Sequence, residues 1–318
     1  MTKKTVAVLG MGGTIAGQAS SAGNNIDYKA AELEIESLLQ TIPIDRRLEF
    51  DIYAEQVAQL DSKDMSLPAL RQLAQRVNAL IATPHIKGVV ITHGTDTLEE
   101  TAFFLQQVCS PSKPVVLTCA MRPATALVPD GPQNILDALV VACCPDAAGV
   151  FVVCAGRIHL ASLVQKIHTY RLDSFSSGEA GCFGFVEEGR ARFLFFPPAV
   201  PVVSLEGDLK KIVLSMSDIV WPRVEILMNF AGADGRTVDA LVAQGIDGIV
   251  VAGTGNGTIH HLLEASLLRA QDQDVTVVVS TRCMEGRVLA LQKRLFTDSS
   301  GLSPVKARIA LILKLLDK

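Results

Sequence analysis

Residues 88–118 read GVVITHGTDTLEETAFFLQQVCSPSKPVVLT, and this stretch contains the pattern that decides the fold. Two short β-branched runs, Val89–Thr92 and Val115–Thr118, flank Leu98–Val108, where apolar residues recur on one face of a helix. Apolar strands that alternate with amphipathic helices are typical of a parallel sheet covered by helices. The stretch therefore predicts a strand–helix–strand unit of an α/β fold.

The same alternation continues along the chain. Further strands are predicted at Val6–Leu9, Val150–Cys154, Val224–Met228, Ile249–Ala252 and Val275–Ser280. Further helices are predicted at Leu67–Ile81, Gln133–Cys143, Thr237–Gln244, Ile259–Ala270 and Val305–Leu316. A proline-rich run near residues 197–201 can continue neither a helix nor a central strand. We therefore predict two α/β domains with mostly parallel sheets: a larger N-terminal domain (1–194), a linker (195–222) and a smaller C-terminal domain (223–318).

Composition limits the classes of function. The 318 residues are 49% hydrophobic, which is enough for a large core, and the net charge is −4 without a long run of one sign. Neither a nucleic-acid partner nor a membrane partner is expected, because the sequence has no basic stripe and no apolar stretch of membrane-spanning length. The N-terminus is expected to be a first strand and not a signal peptide.

Cysteine and histidine usage gives two further expectations. The seven cysteines form no Cys-x-x-Cys pair, which favours reduced, mostly buried thiols and a cytoplasmic location. No spacing of His, Cys and acidic residues resembles a zinc site. His260 and His261 are neighbours on a predicted helix, so their side chains are expected to point in different directions and to make a poor metal pair.

Two threonine-containing turns each follow a predicted strand. Residues 10–17 read GMGGTIAG, and residues 93–97 read HGTDT. Ligands of open α/β sheets bind at the carboxyl ends of the strands, so Thr14, Thr95 and Asp96 are expected at that edge. Two hydroxyls, a carboxylate and free backbone N–H groups are suited to nucleophilic attack on a small polar molecule.

Simpler interpretations exist for both turns. A strand followed by Gly-x-Gly suggests a dinucleotide site, but the fingerprint needs a glycine where Ile15 stands, and a tight turn alone accounts for the glycines. Around the second turn, Thr97 and Glu100 fit a capping box at the start of the helix. His93 has the chemistry of a general base, but we favour a structural role for it.

The residues of both turns resemble the two signature motifs of the bacterial-type L-asparaginase/glutaminase family. These motifs are GGTIAG at residues 12–17 and ITHGTDTLEET at residues 91–101. Further family segments occur in the expected order: AMRP at 120–123, DGPQN at 130–134, DGIV at 247–250 and GTGNG at 253–257. The resemblance implies an amidohydrolase that converts L-asparagine, and to varying degrees L-glutamine, into the acid and ammonia. It implies no metal and no organic cofactor.

The resemblance also implies roles for individual residues of the N-terminal catalytic domain. Thr14 matches the nucleophile that forms an acyl-enzyme, and Tyr28 matches the tyrosine that helps to activate it. The small, polar stretch between them has a composition suited to a lid. Thr95, Asp96 and Lys166 match a second constellation, in which a desolvated lysine can accept the hydroxyl proton. The sequence leaves open which threonine attacks first.

Substrate-binding roles follow from the same resemblance. Ser62 matches a serine that binds the α-carboxylate, although it also fits the start of the following helix. Thr95 and Asp96 contribute to the substrate pocket, where Asp96 would hold the α-ammonium group. Asn256 resembles a residue that reaches a neighbouring subunit's site, which implies a homodimer or homotetramer with active sites at a subunit interface.

Two departures from the family pattern concern substrate binding. Lys63 stands where many relatives carry a glutamine that contacts the substrate's amino group, and an inward-pointing lysine would repel that group. The segment after Arg282 is shorter than in secreted members, and Glu285 has no assignable role in it. Substrate preference and affinity therefore stay open.

Two other classes of function also stay open. A non-catalytic amino-acid sensor on the same fold would bind substrate without turnover. A nucleotide-dependent dehydrogenase or transferase would use the glycine turn at residues 10–17 and would bind a dinucleotide.

Overall fold

The structure is a computed structural model that describes residues 4–42, 50–145, 147–195, 209–289 and 295–316. The chain divides into two compact units, Met1–Val200 and Pro201–Lys318. Of the predicted linker, residues 196–208 lie outside the described residues, whereas Leu209–Ser215 forms a helix that the sequence analysis did not predict. Among the described residues, no helix is long and apolar enough to cross a membrane.

The described part of the N-terminal unit contains strands and helices in alternation. Its helices are α1 (Ile35–Gln40), α2 (Leu67–Ala82), α3 (Leu98–Cys109) and α4 (Gly131–Ala142). Its strands are β1 (Thr5–Gly12), β2 (Gln18–Ala19), β3 (Tyr28–Lys29), β4 (Asp51–Leu60), β5 (Ile86–Thr92), β6 (Pro114–Thr118), β7 (Gly149–Cys154), β8 (Arg157–Leu160), β9 (Gln165–Lys166), β10 (Phe175–Ser176), β11 (Gly184–Glu187) and β12 (Arg190–Phe193).

Eight of these strands form one sheet in the order β12-β11-β8-β7-β6-β5-β1-β4. The five strands from β7 to β4 run parallel, and β8, β11 and β12 complete the other end as antiparallel neighbours. One face of the sheet packs with α1 and α4 around a core that includes Val8, Val90 and Leu139. The central strands are apolar throughout because both faces are buried.

The C-terminal unit is smaller and has its own parallel sheet. Its elements are α5 (Leu209–Ser215), β13 (Val224–Met228), α6 (Arg236–Ala243), β14 (Gly248–Gly253), α7 (His261–Gln271), β15 (Thr276–Thr281), β16 (Thr297–Asp298) and α8 (Pro304–Leu315). The strand order is β13-β14-β15-β16, and all pairs are parallel. The predicted fold class, two α/β domains with mostly parallel sheets, is confirmed.

Two expectations from the sequence need correction. The rings of His260 and His261 stack with centroids 4.5 Å apart, so the prediction that they point in different directions is wrong. The reason is that α7 begins only at His261, and the extended backbone of His260 places it outside the helical spacing. The cysteines are all free, but only three of the seven are buried, and Cys283 is exposed.

Candidate active site

The two threonine turns lie side by side because β1 and β5 are parallel neighbours in the sheet. Their backbones are in direct contact: a Cβ atom added to Gly13 would lie 2.3 Å from Gly94 Cα. Gly13 also has a φ of 83°, which favours glycine. The next residues along the two turns are Thr14 and Thr95, so both hydroxyls emerge at the carboxyl edge of the sheet.

Thr14 is paired with Tyr28. Thr14 begins a single 3-10 turn, Thr14–Ala16, and its Oγ1 lies 2.6 Å from Tyr28 Oη. The turn does not continue into an α-helix, so it lacks the helix N-terminus that binds the pyrophosphate in dinucleotide sites. The structure therefore brings together the two residues that the family resemblance matched to the nucleophile and to its activating tyrosine, and it disfavours the dinucleotide interpretation.

The small, polar stretch before Tyr28 forms the hairpin of β2 and β3. Two contacts tie this hairpin to the loop after β6: Ala19 N donates to Thr125 Oγ1 at 2.8 Å, and Leu127 N donates to Ala22 O at 3.0 Å. The sequence analysis missed Thr125, because no local pattern marks a threonine 106 residues away as the partner of this hairpin.

Thr95, Asp96 and Lys166 form a second cluster. Lys166 Nζ donates to Thr95 Oγ1 at 2.8 Å and lies 2.6 Å from Asp96 Oδ1. The Lys166 side chain is 19% exposed, whereas that of Asp96 is 53% exposed. The Lys166 side chain is therefore largely shielded from solvent, and the Asp96 carboxylate keeps access to a ligand.

Ser62 is buried directly beside the second turn. Its Oγ accepts a hydrogen bond from Asp96 N at 3.2 Å, which leaves the hydroxyl proton available for another acceptor. Ser62 begins a short 3-10 turn, Ser62–Asp64, but it does not cap the following helix. Ser66 is the N-cap of α2, and its side chain accepts from Ala69 N.

The predicted capping box of Thr97 and Glu100 is wrong. Thr97 stands at the N-cap of α3, but its side chain accepts no hydrogen bond from the helix. Its Oγ1 donates to Ser62 O at 2.7 Å instead. The backbone of Thr97, with φ −120° and ψ 17°, is not in the extended conformation that an N-cap normally adopts, so its hydroxyl turns toward Ser62.

His93 has a structural environment. It is fully buried, with Nδ1 2.7 Å from Gly94 O and Nε2 3.0 Å from Thr101 Oγ1. Burial lowers the pKa of His93 to about 4, so the imidazole is neutral at pH 7. A carbonyl can only accept, so Nδ1 carries the proton and Nε2 accepts from Thr101. Both ring nitrogens are thus engaged within the protein.

Lys63 makes its polar contacts within its own turn. Lys63 is 62% exposed, and its ammonium group forms an ion pair with Asp61 and lies 3.7 Å from Asp64. The hydrogen bond to Asp61 raises the pKa of Lys63.

Asn256 lies in the C-terminal unit, where its Oδ1 accepts a hydrogen bond from Leu289 N at 2.6 Å. Glu285 is exposed in the same unit.

The described parts of the chain contain no cluster of metal-ligating side chains. No group of three or more His, Cys, Asp or Glu side chains there is arranged to hold a metal ion. The chemical groups at the carboxyl edge of the larger sheet include the hydroxyls of two threonines and a serine, a phenol, a lysine and a carboxylate.

Comparison with known families covers nearly the whole chain. Residues 5–197 match the protein family described as "Asparaginase, N-terminal", and residues 223–318 match the family described as "Glutaminase/Asparaginase C-terminal domain".

The individual proteins to which this chain is similar are also named as asparaginases or glutaminase-asparaginases. The chain is 36% identical over 316 residues to L-asparaginase 2 of Bacillus subtilis, covering 98% of this chain and 82% of the relative. It is 34% identical over 312 residues to the glutaminase-asparaginase of Pseudomonas fluorescens biotype A, covering 96% of this chain and 84% of the relative. The crystal structure of a probable cytoplasmic L-asparaginase from Campylobacter jejuni matches with a TM-score of 0.90 at 35% identity, covering 99% of this chain and 96% of that one.

Proposed function

Because this chain belongs to the bacterial-type L-asparaginase/glutaminase family of amidohydrolases, we propose that it hydrolyses the side-chain amide of L-asparagine to L-aspartate and ammonia. L-Glutamine is the second candidate substrate, since relatives include glutaminase-asparaginases. The observation that carries the proposal is the adjacency of two hydroxyl networks, Thr14–Tyr28 and Thr95–Asp96–Lys166, at one edge of the sheet.

The proposed reaction begins with Thr14. Its Oγ1 attacks the side-chain carbonyl carbon, the C–N bond breaks, and ammonia leaves while a threonine ester of the substrate remains. Water then attacks the ester, which releases aspartate and restores the hydroxyl. The 2.6 Å hydrogen bond to Tyr28 supports this assignment, because Tyr28 Oη can accept the proton that Thr14 gives up while its own phenolic proton passes to solvent.

Thr95 and Lys166 supply the second proton path. Thr95 can donate its hydroxyl proton to the leaving nitrogen while the Lys166 ammonium group, 2.8 Å away, replaces that proton. The same contacts would also serve the reverse order, in which Thr95 attacks first and a neutral Lys166 accepts its proton. Asp96 orients the lysine in either order, because it lies 2.6 Å from Nζ.

Substrate binding is assigned to groups around the second turn. The hydroxyl proton of Ser62 is available to the α-carboxylate, because Ser62 Oγ already accepts from Asp96 N. The half-exposed Asp96 carboxylate is available to the α-ammonium group. Thr95 lines the same pocket, and the backbone N–H groups of both turns are suited to hold the developing oxyanion.

The assembly and the location of the protein are part of the proposal. We assign a homodimer or homotetramer with active sites at a subunit interface, to which Asn256 contributes from a neighbouring subunit. We also assign a cytoplasmic location, as in the name of the Campylobacter jejuni relative. In this proposed mechanism, none of the described residues is assigned to bind a metal ion or an organic cofactor.

The test is ammonia release from L-asparagine and L-glutamine, measured in parallel over a wide substrate range. Release from asparagine alone would establish a selective asparaginase, and comparable release from both would establish a glutaminase-asparaginase. A folded protein that binds asparagine and releases no ammonia would instead be the amino-acid sensor considered from the sequence.

A further inference from the structure

Lys166 is not carried by the main sheet. Thr95 and Asp96 follow β5, a central strand of the eight-stranded sheet, whereas Lys166 lies on β9, which pairs only with β10 in the described chain. Each of these two strands has only two residues, and an isolated two-stranded hairpin is marginally stable. The Thr95–Lys166 contact therefore joins a turn of the main sheet to a short hairpin that lies outside that sheet.

Glu99 makes such a connection. Lys166 N donates to Glu99 Oε1 at 3.1 Å, across 67 residues of sequence. Glu99 belongs to the first turn of α3, where a carboxylate is stabilised by the helix dipole. The bond therefore links the first turn of α3 directly to the strand that bears Lys166.

Glu99 and Asp96 divide the contacts to one lysine. They are three residues apart in sequence: Asp96 lies in the turn before α3, and Glu99 lies in its first turn. Asp96 contacts the Lys166 ammonium group, and Glu99 contacts the Lys166 backbone. Asp96 thus fixes the ammonium end of Lys166, and Glu99 fixes its backbone end.

We propose that Glu99 is a positioning residue that holds the Lys166 backbone so that Nζ reaches both Thr95 Oγ1 and Asp96 Oδ1. This inference rests on the proposed function, in which Lys166 takes part in proton transfer through Thr95. In this account Glu99 acts on the reaction through Lys166. Its effect on the rate arises because a displacement of about 1 Å in a reacting group can cost on the order of 100-fold.

The first experiment compares two substitutions at the same position. Glu99→Gln keeps a carbonyl oxygen at the same reach, so it can still accept the Lys166 N–H, whereas Glu99→Ala removes the acceptor. We expect Glu99→Ala to lower kcat for L-asparagine by roughly 10- to 100-fold with KM changed by less than about threefold. Glu99→Gln should stay within about threefold of the wild type in kcat.

Glu264→Ala is the matched control. Glu264 also lies in the first turn of a helix, α7, but in the C-terminal unit. The substitution removes the same charge from the same kind of helix position, so it should leave kcat unchanged if the effect at Glu99 is specific to Lys166. Should Glu99→Ala fail to fold, Glu99→Asp replaces it, because its shorter side chain cannot reach the same acceptor position.

A double-mutant cycle distinguishes positioning from general structural support. In a Lys166→Met background, Glu99→Ala should add less than about a twofold loss, because the residue through which Glu99 acts is already gone. Fully additive losses, a Glu99→Ala kcat within twofold of the wild type, or a Glu99→Gln variant as impaired as Glu99→Ala would each overturn the proposal. An inactive but folded wild type would instead contradict the proposed function itself.

Discussion

At the scale of single residues, burial of His93 couples the active-site turn to pH. The native imidazole is neutral, with its pKa lowered from 6.5 to about 4, whereas the unfolded chain takes up a proton below pH 6.5. The unfolded state therefore binds more protons between these values, and the free energy of unfolding falls as the pH falls from 6.5 to 4. Above pH 6.5 this residue contributes no pH dependence.

This difference predicts a measurable loss of stability in acid. The His93 contribution should lower the free energy of unfolding by about 2.5 kcal/mol between pH 7 and pH 4.5. Urea unfolding at both pH values measures it, with His93→Asn as the control, because asparagine does not titrate and its amide can replace Nδ1–H. Equal acid losses in the two proteins would show that His93 does not titrate as assigned.

The residues of the site differ in how far the sequence reveals them. Thr14, Thr95 and Asp96 follow predicted strands, so their position at the sheet edge follows from the pattern alone. Tyr28 and Lys166 have undistinguished local contexts, and only the family resemblance singled them out. Their contacts depend on hairpins that lie outside the main sheet, and such tertiary placement leaves no periodic signal in the sequence.

At the scale of elements, strands with a continuous apolar run were predictable, and strands interrupted by polar residues were not. All seven predicted strands and all six predicted helices are present in the structure, with boundaries shifted by a few residues. The ten-residue strand β4 was missed. It lies at the edge of its sheet, and its side chains are partly exposed, so it has neither the continuous apolar run nor the clean alternation of a buried strand.

The close approach of the two turns gives a prediction for Gly13. Gly13→Ala would place a Cβ atom 2.3 Å from the Gly94 backbone at a φ of 83°, so the turns must separate. We expect asparagine turnover to fall by more than about 100-fold and the free energy of unfolding to fall by about 2 kcal/mol.

Gly189→Ala is the matched control for this prediction. Gly189 also has a positive φ, 69°, but nothing is found within 4 Å of a Cβ atom added there, so that variant should keep turnover within about twofold of the wild type. Steady-state ammonia release and urea unfolding measure both effects. A Gly13→Ala enzyme as active as Gly189→Ala would show that the contact between the turns does not fix Thr14 and Thr95.

At the scale of the whole molecule, the proposed assembly predicts a dependence of activity on association. The purified chain should have a solution mass of two or four subunits by light scattering. Dilution below the dissociation constant should lower the specific activity, because a neighbouring subunit is proposed to complete each site. A monomer with full activity would contradict the interface role assigned to Asn256.

The most direct test of the account is ammonia release from L-asparagine by the wild type and by Thr14→Ala. Thr14 is 7% exposed, and the substitution removes a hydroxyl and a methyl group, so circular dichroism and solution mass should be unchanged. The account predicts ammonia release by the wild type and a loss of more than about 1,000-fold in the variant. Near-normal release by a folded Thr14→Ala protein, or none by a folded wild type, would contradict it.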